Sequence, residues 1–177
     1  GDLLINVTSF FRDPEVFDAL KKKILPTLLK DRAPAPPVRR WGPGCSCGEE
    51  VYSIAISLME VFADTGVYFP VQIFATDISE PALLKARVGI YPDSIKTDVS
   101  PERLRRFFTR MDGAFKVIQP TRDLCVFAAH DVTQDPPFSR MDLISCRNLL
   151  IYLGPALQKR VMGVFAYALN PKGYLLL

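Results

Sequence analysis

The stretch Arg39 to Glu50, RRWGPGCSCGEE, constrains this chain more than any other. Val38, Trp41 and their neighbours read as a short buried strand. Gly42, Gly44 and Gly48 then let the backbone turn sharply and approach a ligand closely. The run EEVYSIAISLMEVF that follows repeats its apolar residues at helical spacing, so a helix N-terminus with free N–H groups is expected to point into the turn. Strand, glycine turn and helix form the opening unit of a nucleotide-binding α/β sheet, although the same glycines also suit a plain tight turn.

Two details bear on what such a turn would hold. The glycines fall as G-x-G-x-x-x-G rather than G-x-G-x-x-G, and the first helical positions are Glu49 and Glu50. Two carboxylates at a helix start repel a pyrophosphate and suit a cofactor that carries an ammonium or sulfonium cation. S-adenosylmethionine carries both.

The rest of the chain repeats the unit. Residues 1 to 12 read as extended. Asp13 as N-cap, Pro14 and Glu15 then open a helix whose face is Val16, Phe17, Leu20, Ile24 and Leu25. Pro34, Pro36 and Pro37 mark the loop into the first strand. Pro70 to Ala75 reads as a second buried strand ending at Thr76 and Asp77, and a helix runs from Ser79, Glu80 and Pro81 to Gly89. Strands separated by helices imply a parallel sheet with ligands beyond the strands' carboxyl ends, where Asp77 could accept both ribose hydroxyls or could cap the next helix. Residues 89–122 break the rhythm with a basic helix (PERLRRFFTR) and a small strand, and read as an inserted subdomain. Leu124 to Ala128 and Met141 to Cys146 resume the core, with Asp131 again at a strand end. A last helix starts near Pro155, and Tyr174 to Leu177 begin a strand.

Composition narrows the class. With 177 residues, 49% of them hydrophobic, the chain can build one domain with a sizeable core. No apolar run approaches the roughly 20 residues that span a membrane, and the expectation is a cytoplasmic protein without membrane insertion. A net charge of +3 is too small to suggest a nucleic-acid binder. The basic residues gather at Lys21 to Lys23, Arg39 and Arg40, and Arg103, Arg105, Arg106 and Arg110. Such a helix suits either an acidic protein partner or a solvated face. Cys45, Cys47, Cys125 and Cys146 form no C-x-x-C pair and read as reduced, packed thiols, with no metal site expected.

Taken in order, TSFFRDPEVF, RRWGPGCSCGEEVYSIA, FATDIS, ARVGIY and DLISCRNLLIYL resemble the CheR family of chemoreceptor protein-glutamate methyltransferases. HDVTQDPPFSRMDLISCRNLLIYL looks most like CheR domains embedded in multidomain signalling proteins. The resemblance implies an α/β, Rossmann-like S-adenosylmethionine-dependent methyltransferase sheet of seven strands with a small inserted β-subdomain. The whole of 1–177 would be the catalytic domain: 1–37 an N-terminal lead and helix, 38–88 and 123–177 the cofactor-binding core, and 89–122 the insertion. The chain is expected to be cut from a longer protein at both ends. By motif, the resemblance assigns Asn6, Thr8, Arg12, Gly44, Glu50, Asp77, Asp131, Val132, Asn148 and Leu149 to the cofactor. Arg12 and Tyr152 are assigned to catalysis, Tyr152 over the methyl group. Cys47 stands where the family usually has Thr, and Asp131 where some relatives have Asn.

The implied reaction is methyl transfer from S-adenosylmethionine to glutamate side chains in a helical region of a chemoreceptor-like protein, leaving S-adenosylhomocysteine, with the domain acting as a monomer. A glutamate acceptor is already ionised at neutral pH and needs no general base, in keeping with a single histidine, His130. Two other readings stay open: a cofactor-binding sensor or docking module without turnover, and a methyltransferase with another acceptor. Arg12 could instead pair with Asp13 or Glu15, and Tyr152 could serve only in packing.

Overall fold

The computed structural model describes residues 8–177. Five strands, β1 Val38–Pro43, β2 Val71–Asp77, β6 Cys125–Ala129, β7 Met141–Ser145 and β8 Leu169–Leu176, form one sheet in the order β6-β2-β1-β7-β8. Every neighbouring pair is parallel. The chain leaves β1 toward β2 and β6, then returns to place β7 on its other side. That reversal opens a crevice at the carboxyl ends of β1 and β7, where doubly wound sheets bind their ligands. Seven strands were expected from the resemblance; the main sheet has five among the described residues.

The helices cover both faces. α3, Glu49–Thr65, follows the glycine turn and is apolar nearly all round, with Val51, Tyr52, Ile54, Ala55, Ile56 and Leu58 at most 1% exposed. Each large aliphatic side chain so buried contributes about 1.5–3 kcal/mol. α4, Glu80–Val88, starts as predicted: the Ser79 hydroxyl accepts from Ala82 N at 3.3 Å, and Gly89 ends the helix at φ 71°. On the opposite face α7, Pro155–Ala168, packs Val161 and Phe165 against Trp41, Met141 and Ile144. Trp41 is fully buried there, and its indole N–H donates to Thr76 Oγ1 at 3.1 Å, tying β1 to β2.

Of the segment read as extended, residues 1–7 lie outside the described residues, and residues 10–12 depart from that reading. Residues 10–13 form turns, with Phe11 at φ 48° and Asp13 at φ 57°, because Phe10 and Phe11 are both drawn into the core. Then come α1, Pro14–Ala19, a π-helical stretch Leu20–Ile24, and α2, Leu25–Leu29. Pro26 has no N–H to give the preceding turn, and a widened stretch just before it accommodates that loss.

Between β2 and β6 the chain builds a second, antiparallel sheet of β3 Ile90–Pro92, β5 Ala114–Val117 and β4 Phe108–Met111, with α5 Pro101–Phe107 leading into it. The basic residues of this region are mostly engaged within the molecule. Arg103 grips Glu60 with Nε at 3.1 Å and Nη2 at 2.9 Å, Arg106 lies over Phe107, and Arg110 lies over Phe115 while pairing with Asp93. Near the chain's end β8 begins at Leu169, before the predicted Tyr174. Residues between Leu169 and Tyr174 bulge out of register around Pro171 and Gly173.

Candidate functional site

The glycine turn is held in place from two sides. Cys45 N donates to the carbonyl of Thr76 at 2.9 Å, and Ser46 N donates to Asp77 Oδ2 at 2.8 Å. Asp77 Oδ1 in turn accepts from Ser79 N at 2.9 Å. The carboxylate therefore fastens the turn after β1 to the turn after β2, and each oxygen keeps a second lone pair for a ligand. Gly44 sits at φ 66°, and a Cβ there would come 3.2 Å from Leu149 Cβ. Backbone conformation and space both demand glycine.

Two cavities meet at Gly44. One, of about 10 Å³, is lined by Thr8, Arg40, Gly44, Glu50, Ser145, Arg147 and Asn148 among others. The other, of about 260 Å³, is lined by Asp77, Ile78, Asp131, Val132, Leu149 and Tyr152 with their neighbours. Together they form a cleft across the carboxyl ends of β1, β2, β6 and β7, polar at one end and largely apolar at the other. Every residue assigned from the sequence lines one of the two, save Arg12 and Asn6. Arg12 donates from Nη1 to Asn148 Oδ1 and so stands beside the polar end. Asn6 lies outside the described residues.

The polar end is organised by Arg147, a residue the sequence reading left without a role. Its Nη1 lies 2.6 Å from Glu50 Oε1 and 3.0 Å from the carbonyl of Arg12, while Nη2 lies 2.5 Å from Asp13 Oδ2. Ser145 Oγ donates to Glu50 Oε2 at 3.0 Å. Asp13 occupies the N-cap position of α1 as expected, but its side chain serves Arg147 and makes no cap hydrogen bond. The two glutamates of the turn also part company. Glu50 faces the cavity, whereas Glu49 turns away toward Lys85 and Tyr91, and burial raises its pKa. Adjacent helical positions point about 100° apart, so only one of the pair can face a ligand.

At the apolar end Asp131 Oδ1 accepts from Thr133 N at 2.9 Å, shaping the loop after β6. His130 Nε2 contacts the carbonyl of Pro136 at 2.8 Å; a carbonyl only accepts, so that nitrogen carries the proton. Tyr152 closes Leu150–Tyr152, a single 3₁₀ turn, and is 44% exposed at the cavity's rim. One thiol, Cys45, borders the smaller cavity. Burial pushes Cys125 and Cys146 up to about 12 and Cys45 higher still, which keeps them protonated at neutral pH.

Residues 6–177 match the family described as CheR methyltransferase, SAM binding domain. The "Uncharacterized 104.1 kDa protein in hypE 3'region" of Rhodobacter capsulatus is 39% identical over 176 residues, 99% of this chain and 18% of that protein. Chemotaxis protein methyltransferase 1 of Vibrio cholerae is 37% identical over 176 residues, 97% of this chain and 63% of that protein. The chain therefore spans less than two thirds of the length of either. The crystal structure of the glycopeptide N-methyltransferase MtfA complexed with sinefungin superposes with a TM-score of 0.53 at 13% identity, covering 96% of this chain and 54% of that one. At that identity the likeness bears on the fold, a Rossmann-like α/β sheet.

Proposed function

This chain belongs to the CheR methyltransferase family, and on that premise we propose that it transfers a methyl group from S-adenosylmethionine to glutamate side chains of a chemoreceptor-like protein. The observation that carries the reading is the cleft itself: a carboxylate, Glu50, at its polar end, and a second, Asp77, bordering its apolar end.

The residues present fit the cofactor. Glu50 is an anion placed for an ammonium group, and Asp77 has acceptor capacity left for ribose hydroxyls. Gly44, bare of a side chain, leaves the passage between the two cavities open. Asp131, Val132 and Leu149 border the space suited to a purine. Thr8 and Asn148, with Arg12 bonded to the latter, complete the polar end. When bound, S-adenosylmethionine supplies an electrophilic methyl group on a sulfonium.

The chain's own part is to bind, align and keep the site dry. A glutamate acceptor, pKa near 4.3, arrives ionised, so no side chain has to remove a proton. Methyl transfer consumes one positive and one negative charge, and a cleft that excludes water favours that loss. Alignment of the reacting atoms supplies much of the rate. Arg12, anchored through Asn148, would hold the acceptor carboxylate, and Tyr152 at the rim would orient the acceptor or the methyl group. The acceptor would be a glutamate-bearing helix of a chemoreceptor or related signalling protein met in the cytoplasm. We further assign residues 89–122 as an inserted unit within one catalytic domain.

Calorimetric titration with S-adenosylhomocysteine tests the cofactor, and NAD⁺ should bind negligibly in the same experiment. Methyl label should enter the acceptor protein and leave as methanol under mild alkali. Alkali-stable label would mean a nitrogen or sulfur acceptor and would overturn the glutamate reading.

A further inference from the structure

Arg40 is the least expected charge in this molecule. It lies in the middle of β1 and is 1% exposed, and its Nε and Nη1 have no hydrogen-bond partner. A guanidinium taken out of water without a partner is costly, and folded proteins normally pair such a group or exclude it. Burial lowers its pKa, opposed by the nearby charge of Glu50. The sequence nevertheless makes room for it: a Cβ on Gly42 would stand 2.8 Å from Arg40 Nη1 and 3.0 Å from its Cζ. The absent side chain at position 42 is what lets the guanidinium occupy that space.

The group lines the polar cavity with Glu50 and Arg147, the other charged residues of its wall. Glu50 is already committed to Arg147 and Ser145. Arg147, which also pairs with Asp13 beyond the wall, thus claims Glu50, and Arg40 is left with no carboxylate hydrogen-bonded to it. Its complement is a ligand that brings one carboxylate into this end of the cleft. Buried polar groups left unsatisfied in a native fold call for such an explanation.

We infer that Arg40 is a specificity-determining residue for the amino-acid end of the cofactor, held unpaired in the free protein to receive the α-carboxylate. The inference rests on the cofactor reading above. Arg40 then discriminates between nucleosides with and without a carboxylate, while Glu50 meets the ammonium group with the lone pairs that its single bonds to Arg147 and Ser145 leave over.

Arg40→Met tests this, because it keeps the volume and removes the charge. Replacing an unpaired buried charge by an apolar side chain should leave the cofactor-free protein melting no lower than wild type. Affinity for S-adenosylhomocysteine should fall about 10-fold or more, the usual weight of a hydrogen bond to a charged group. Affinity for decarboxylated S-adenosylhomocysteine, which keeps the amine, should be unchanged, and Arg40→Lys should recover part of the loss. Equal losses for the two ligands, or no loss for either, would overturn the inference; a lowered melting temperature with equal losses would mark Arg40 as scaffold. The wild-type affinity alone reports on the cofactor reading, and the ratio of variant to wild type across the two ligands reports on Arg40.

Discussion

Arg147 Nη1 lies 2.6 Å from Glu50 Oε1, in a pair whose side chains are 6% and 15% exposed. The same guanidinium holds Asp13 and the carbonyl of Arg12, so it joins the N-terminal segment to the glutamate that faces the cleft. Binding-site charge and chain-end docking are thereby one network rather than two.

Arg147→Met should consequently damage stability and affinity together. Breaking a buried pair from one side costs roughly 3–5 kcal/mol, and the remaining exposure of Glu50 puts this case at the lower end. At about 2–4 °C per kcal/mol for a chain of this size, the melting temperature should fall by about 6–12 °C. Adding Glu50→Gln should restore part of the stability, since the buried anion is gone and only the half-exposed Asp13 is left without its partner, but none of the affinity for S-adenosylhomocysteine. Melting curves and calorimetry on the two single variants and the double variant measure the coupling.

Glu60 on α3 connects three parts of the fold, accepting Lys21 at 3.2 Å and Arg103 at 2.9 Å. Burial alone would raise its pKa, but the hydrogen bonds and charge of Arg103, with Lys21, outweigh it and lower the value below 4.5. A carboxyl depressed on folding contributes stability that is full above its unfolded pKa and is lost as pH falls through the folded value. Glu60→Gln should therefore melt below wild type at pH 7, by about 2–4 °C for each kcal/mol lost. The gap should close as pH drops below 4.5. A gap that stays constant with pH would place the loss in packing instead.

Local signals were the ones legible in the chain. Ser79 and Gly89 at the ends of α4, and the glycine turn after β1, depend on neighbours a few residues away, and the sequence displays those neighbours directly. Thr8, Gly44, Asp77 and Asn148 were reached through short motifs, and the structure gathers them along one cleft. Arg147 was not legible, because its partners are 97 and 134 residues distant. Nor was the burial of Arg40: a basic residue beside another at a strand start reads as surface, and only the space over Gly42 explains it. Glu49 and Glu50 look equivalent in sequence and differ only through the helix rotation between them.

Tyr152 should separate binding from chemistry. It lines the rim of the larger cavity at 44% exposure and lies outside the buried core, so removing its hydroxyl should cost little stability. Tyr152→Phe should leave the melting temperature and the affinity for S-adenosylhomocysteine nearly unchanged. Single-turnover methyl transfer should slow by about 10-fold or more if the hydroxyl acts mainly in the transition state. A variant that methylates at the wild-type rate would leave Arg12 as the remaining candidate for orienting the acceptor.

Asp77 serves both the fold and the ligand, and its substitution should show both. Its two oxygens accept from Ser46 N and Ser79 N, so Asp77→Ala leaves two backbone donors unsatisfied and loosens the glycine turn. That alone should cost roughly 1–3 kcal/mol for each donor that water cannot reach, visible as a lower melting temperature without cofactor. The ribose would lose charge-assisted hydrogen bonds worth about 1.5–3 kcal/mol each, so affinity should fall about 10-fold or more per bond. Asp77→Asn separates the two roles. The amide keeps one acceptor oxygen, and its nitrogen can only donate, so one backbone donor is still lost while the negative charge disappears entirely. If the charge matters chiefly to the ligand, Asp77→Asn should recover about half of the stability lost in Asp77→Ala and little of the affinity. Equal recovery of stability and affinity would make Asp77 a scaffold residue whose effect on the cofactor runs only through the turn it holds.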